Sequence, residues 1–205
     1  MTATPDERAL VEKFFGQYVN QFMKSDLENA INGGANLLAA LGLVTYSEVL
    51  GALKLGTISK DEGNRRKFDA FLPSLGTSYQ TADGELKSLG FKNGLYQVVR
   101  CGLVHQYFPK ESSLVARSGP GLPGVSWETT ESRLVIVLRT FLDDFLRAAD
   151  EVKVQIIAAP PTETLNFMSR YMETSGTAAH PGTPGGPPPP GFTSGAVTTG
   201  TYWKP

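Results

Sequence analysis

The sequence predicts a mainly α-helical bundle with one short β-hairpin before its last long helix and a disordered C-terminal tail. Three observations carry that expectation. Apolar residues recur at helical spacing through most of residues 1–172. A turn-rich stretch, Ser118-Gly-Pro-Gly-Leu-Pro-Gly124, sits between two short segments of extended character. From residue 173 onward the chain loses apolar bulk, and seven of its 14 prolines fall in the last 32 residues. Such a tail cannot bury enough surface to offset the entropy of ordering. The expected organisation is therefore a bundle domain over 1–172 and a tail over 173–205.

The first helix is the clearest element. Thr4-Pro5-Asp6-Glu7 reads as an N-cap, an N1 proline and an N3 glutamate, which together make a capping box. Leu10, Phe14, Tyr18 and Phe22 then recur every four residues, flanked by Val11, Phe15 and Val19. A second helix is expected from Ser25, with Gly33-Gly34 inside it as a bend or a close approach. Thr45 and Glu48 mark the start of a third, ending near Gly56. Asp61 to Leu72 reads as a fourth helix stopped by Pro73, because the residue before proline disfavours helix. Residues 74–84 read as loop. Glu85 to Phe108 reads as helix interrupted at Gly90 and Gly94, with Leu95, Val99 and Leu103 facing inward. The hairpin is expected from Ser113–Ser118 pairing with Val125–Thr129. Glu131 to Val154 then forms a long helix, Pro160-Pro161 breaks the chain, and Thr162 to Met172 closes the domain.

Composition narrows the class. One cysteine, Cys101, excludes an internal disulfide framework. The N-terminus lacks a basic segment followed by an apolar core, and Ala35 to Val44 falls far short of the roughly 20 apolar residues a spanning helix needs. The expectation is a cytoplasmic protein with no membrane partner. The net charge of −1 is unevenly spread. Residues 1–53 carry three basic and six acidic side chains, residues 54–117 carry ten and six, and residues 118–173 carry five and eight. The positive middle offers a local field attractive to phosphate, or is simply an uneven surface.

The expected domain contains a single histidine, His105, in Val99-Arg-Cys-Gly-Leu-Val-His-Gln-Tyr-Phe108. Imidazole suits proton transfer near neutral pH. Guanidinium forks onto two phosphate oxygens and stays charged. On a straight α-helix at about 100° per residue, Arg100 and His105 lie about 140° apart, whereas Arg100 and Tyr107 nearly align. Convergence of Arg100 and His105 needs the reach of the arginine, a bend at Gly102, or a second copy of the motif across a twofold axis. The bland alternatives are a structural histidine, a packing tyrosine and a small buried thiol at Cys101. Asn64-Arg-Arg-Lys67 reads as a phosphate contact or as solvated surface, and Asp143-Asp144 as acid/base groups or a wet helix face.

This Arg-x4-His-x-Tyr pattern on a helix resembles the HEPN superfamily, whose hallmark is Arg-x4–6-His on a late helix of a small bundle. Gly34-Ala-Asn-Leu-Leu-Ala-Ala-Leu-Gly-Leu43 and the motif segment are similar to uncharacterised bacterial proteins of that kind, over about residues 6–155. The resemblance implies a metal-independent endoribonuclease that uses the ribose 2′-hydroxyl as nucleophile. It implies His105 as acid/base, Arg100 as phosphate clamp, and a homodimer that pairs two motifs. It also implies a toxin–antitoxin, defence or stress role, with Tyr107 as the residue a nucleotidyltransferase antitoxin would modify. Cys101 departs from the polar residue that nuclease members often carry there. No cofactor or metal is expected: one histidine and one cysteine make no usual zinc set, and no P-loop or dinucleotide fingerprint is present. The competing expectation is a non-catalytic helical interaction domain that binds a protein or nucleotide partner.

Overall fold

The computed structural model describes residues 2–58, 63–103, 113–116 and 122–175. Within them the chain is a helical bundle flanked by a three-stranded sheet. Helix α1 spans Pro5–Phe14 and opens on the expected capping box. The Glu7 N–H donates to Thr4 Oγ1 at 3.3 Å, and the Thr4 N–H donates to Glu7 Oε2 at 2.7 Å. The helix does not stop before Ser25. It runs on through a π-helical stretch, Phe15–Met23, into α2, Lys24–Asn32, and Met23 keeps helical dihedrals of φ −60° and ψ −44°. The Lys24 N–H bonds the Gln21 and Val19 carbonyls, so the backbone ladder is continuous and no cap is required.

Gly33-Gly34 is the break itself rather than a bend inside a helix. Gly34 takes φ +73°, and the Ala35 N–H reaches back to the Ala30 carbonyl at 2.9 Å, the wide bond of a left-handed helix end. Helix α3 follows as one piece, Asn36–Leu55, so Thr45 opens nothing. Ser47, two residues on, donates to the Leu43 carbonyl at 2.7 Å inside the helix. By length and composition α3 could cross a membrane, yet 56% of that window is buried within the fold. It is the central helix, packed on the helical segments 64–75, 138–158 and 96–101.

Helix α4, Asn64–Leu75, carries Pro73 within its last turn and ends at Gly76, φ +122°. Proline there removes a single hydrogen bond, and the stop comes three residues later than expected. Arg147 closes this end by donating to the Ser74 and Leu75 carbonyls at 3.2 and 2.8 Å. The segment read as loop is largely helix α5, Thr77–Ser88. Weak local propensity is overridden by a buried stripe of Tyr79, Ala82 and Leu86. After Gly90 and Gly94, both at positive φ, a second π-helical stretch, α6, spans Tyr96–Cys101.

A hairpin does stand before the last long helix, and both expected segments form strands, but they pair through a third strand rather than with each other. β2, Val125–Glu128, pairs antiparallel with β3, Arg133–Ile136, and β1, Ser113–Ala116, lies parallel to β3 on its other edge. β3 falls in residues expected to begin the long helix. Leu134, Val135 and Ile136 are all buried, and such an unbroken apolar run fits a covered strand as well as a helix, so its leucines do not separate the two. Helix α7 is therefore Leu138–Ala158, and α8 is Thr162–Ser175. Helix α8 takes in residues 173–175, the first three of the expected tail, and the rest of that tail lies outside the described residues.

Candidate functional site

Arg100 lies on α6, and the sequence fixes how that element enters the bundle. Gly94 turns the chain at φ +53°, and Asp83 Oδ1 accepts the Leu95 N–H at 2.9 Å. The Gln97 side chain accepts the Asn93 N–H at 3.1 Å, and Arg65 Nη1 of α4 donates to Asn93 Oδ1 at 2.6 Å. Further along, the Gly102 N–H reaches the Gln97 carbonyl five residues back, the π register. Leu95, Val99 and Leu103 face the core as expected.

With those residues inward, Arg100 meets α3. Its Nε donates to Glu48 Oε1 at 3.0 Å. Its guanidinium carbon stands 5.9 Å from the centroid of the Tyr96 ring, four residues earlier, within the range of a cation–π contact. The Glu48 side chain is 7% exposed and that of Arg100 23%. Burial pushes the Glu48 carboxyl above the usual carboxylate range, and Arg100 and then Lys67 pull it back only in part. Burial likewise raises the Tyr96 phenol, assisted by Glu48. The site is thus a buried carboxylate, a half-buried guanidinium and an aromatic face, with a second cation nearby.

Of the expected site residues, Arg100 is placed here, while His105 and Tyr107 lie outside the described residues. Cys101 is half-buried against the core. Asp144 accepts the Tyr79 hydroxyl at 2.9 Å and stands 3.5 Å from Arg147, so its role is structural. Asp143 is exposed. Among the described residues, no group of three His, Cys, Asp or Glu side chains is arranged to hold a metal ion.

Glu48 and Tyr96 were not singled out as site residues. The signal for Glu48 was its isolation: it is the one charged residue between Glu28 and Lys54. A lone carboxylate in so apolar a helix needs a partner. For Tyr96 the signal was its spacing of four from Arg100. No family model matches the sequence, and neither a curated protein nor a solved structure matches it.

Proposed function

We propose that this chain is a HEPN-type helical domain that cleaves RNA, with Arg100 as the phosphate clamp and His105 as the proton-transfer group. The observation that supports it is the mounting of Arg100. Glu48 holds the guanidinium through Nε at 3.0 Å and the Tyr96 ring backs it. Fixing Nε leaves the far side of the fork, with its terminal nitrogens, to address a phosphate. An arginine oriented in advance loses less entropy on binding.

The chemistry balances without further reactants. The ribose 2′ oxygen forms a bond to phosphorus, the bond from phosphorus to the 5′ oxygen breaks, and the products are a 2′,3′-cyclic phosphate and a 5′-hydroxyl. One proton leaves the 2′-hydroxyl and one arrives at the 5′ oxygen. His105 moves a proton at one of these two atoms, and Arg100 offsets the charge that builds on the phosphate. In this reading a homodimer supplies a second motif, and a nucleotidyltransferase antitoxin would silence the enzyme at Tyr107.

The test is incubation of the full chain with an end-labelled RNA. Wild type should yield fragments ending in cyclic phosphate. Arg100→Ala and His105→Ala should abolish them while circular dichroism stays unchanged. Intact RNA with wild type under all buffers, or undiminished cleavage by both variants, overturns the proposal.

A second reading, a non-catalytic interaction domain, is favoured by the same ion pair. Glu48 offsets the charge of Arg100, and the pair fastens α6 to α3 as a strut. That reading expects Arg100→Ala to lower the melting temperature and His105→Ala to leave RNA untouched.

A further inference from the structure

Three partly exposed aromatic rings line the seam between α8 and the first helical segments, and the reaction above does not use them. The Tyr171 ring of α8 stands 4.8 Å from Tyr18 and 6.4 Å from Phe167. The fully buried Phe14 ring touches all three, at 5.1 Å from Tyr18, 6.0 Å from Phe167 and 5.4 Å from Tyr171. Phe22, stacked on Tyr18 at 5.7 Å, bounds the strip. Both of its sides are uncharged: residues 14–23 and 164–169 hold no Asp, Glu, Lys or Arg. Arg170, next to it, donates within its own helix to the Asn166 carbonyl. Among the described residues, neither the Tyr18 nor the Tyr171 hydroxyl has a hydrogen-bond partner. Burial, and then Tyr171, raise the Tyr18 phenol, so it stays a donor.

We propose that this strip is the docking site of the chain's own proline run, Pro187-Pro-Pro-Pro190, bound within the same molecule as a polyproline II segment. Helix α8 ends at Ser175, one turn past Tyr171, and 30 residues follow it. Residues 176–186 can reach up to about 36 Å, while Tyr171 lies only about 6 Å back along the helix axis. The segment matches the strip in charge, with no Asp, Glu, Lys or Arg from Thr174 to Trp203. Proline enters with φ already fixed, so ordering four of them costs little entropy, and aromatic-lined grooves take such runs. Prolines offer flat apolar rings to the aromatic faces and backbone carbonyls to the two phenol hydroxyls. Four of them span about 12 Å, the scale of the path from Phe167 through Tyr171 to Tyr18.

The experiment uses the full chain and a full-length variant, Pro187→Ser/Pro188→Ser/Pro189→Ser/Pro190→Ser, whose strip is left open. The probe is a peptide of residues 184–193 with fluorine on the Phe192 ring, titrated by fluorine NMR. A strip that binds the free peptide at about 0.1 mM faces its own tethered run at about 1 mM, so wild type should bind the peptide about tenfold more weakly than the proline-replaced chain. Adding Tyr18→Phe/Tyr171→Phe to the proline-replaced chain keeps the rings and removes the hydroxyls. It should weaken the peptide about fivefold and leave the melt unchanged. A peptide carrying the same proline replacements should not bind. Equal affinity of wild type and the proline-replaced chain overturns the proposal, because the run then leaves the strip empty. Absence of binding to the proline-replaced chain overturns it as well, as does binding that the tyrosine variant leaves unchanged. Light scattering tests the other occupant. Equal masses support docking within one molecule, whereas a wild-type mass twice that of the proline-replaced chain means that the run docks on a second copy and overturns it.

Discussion

The two π-helical stretches use one backbone device for opposite purposes. Phe15–Met23 is a packing element: Phe15, Val19 and Met23 are buried. Tyr18 stacks on Phe22 at 5.7 Å and meets Tyr171 of α8 at 4.8 Å. Tyr96–Cys101 buries Tyr96, Val98 and Val99, yet turns Arg100 onto a buried carboxylate. A widened turn costs helical hydrogen-bond regularity and must be repaid by the side chains it redirects. In the first stretch the return is aromatic contact. In the second it is an ion pair between α3 and α6. The π turn alone therefore does not single out a candidate site; the charge it presents to a neighbour does.

Removing a ring from the first stretch tests the packing half of this contrast and should have the largest effect. Phe15 is 2% exposed and meets Phe14 edge-on at 6.0 Å. Phe15→Ala should cost about 3–5 kcal/mol. At roughly 3 °C per kcal/mol for a domain of this size, the melting temperature falls by about 10 °C. Activity per folded molecule should be unaffected, and a loss exceeding the unfolded fraction would place function in this region instead.

Breaking the ion pair comes next. Glu48→Ala leaves Arg100 without its carboxylate, which should cost about 3 kcal/mol, the low end for a buried pair because Arg100 keeps some water. The double replacement Glu48→Leu/Arg100→Met should recover most of that stability, since an apolar pair avoids desolvating two charges. If it does so while RNA cleavage stays lost, Arg100 has a role beyond holding α6. Chemical denaturation of the three proteins, run beside the RNA assay, reads both quantities.

What the sequence made legible follows from the range of each signal. The capping box at Thr4, the stops at Gly56 and Pro160-Pro161, and the inward stripe of α6 are local, and they stand as read. The π continuation through Met23, helix α5 and strand β3 depend on distant partners. Tyr79, for instance, is held in a helix by Phe141 and Asp144, more than 60 residues away. The candidate site divides in the same way. Arg100 belonged to a short motif and could be named, whereas Glu48 lies 52 residues earlier. Its isolation in an apolar helix announced that a partner was needed but not which one.

A smaller effect should follow from the ring behind Arg100. Tyr96→Leu keeps an apolar body and removes the π face, so it should cost about 0.5–1 kcal/mol. If Tyr96 orients the guanidinium for phosphate, the apparent KM for RNA should rise while the melt hardly moves. An unchanged KM would leave Glu48 as the only orienting group.

The smallest expected effect is a pH dependence, and its sign separates the two stretches. The first carries no carboxylate. At the second, the folded-state pKa of Glu48 is raised above its ordinary value by burial. A group raised in this way favours the folded state while protonated, and that contribution is lost as pH rises through the folded value. Wild type should therefore lose stability relative to Glu48→Gln as pH climbs from the ordinary carboxylate range toward neutrality, because glutamine keeps the shape and never ionises. Arg100 and Lys67 both face the carboxylate and moderate the loss, and the Tyr96 phenol remains protonated throughout that range. Parallel melts of the two proteins at half-unit steps between pH 4 and 7 measure the difference. A gap that stays constant, or that narrows in the opposite direction, means that the ion pair with Arg100 outweighs burial. The site would then be a stabilising strut rather than an arginine held in place at a cost.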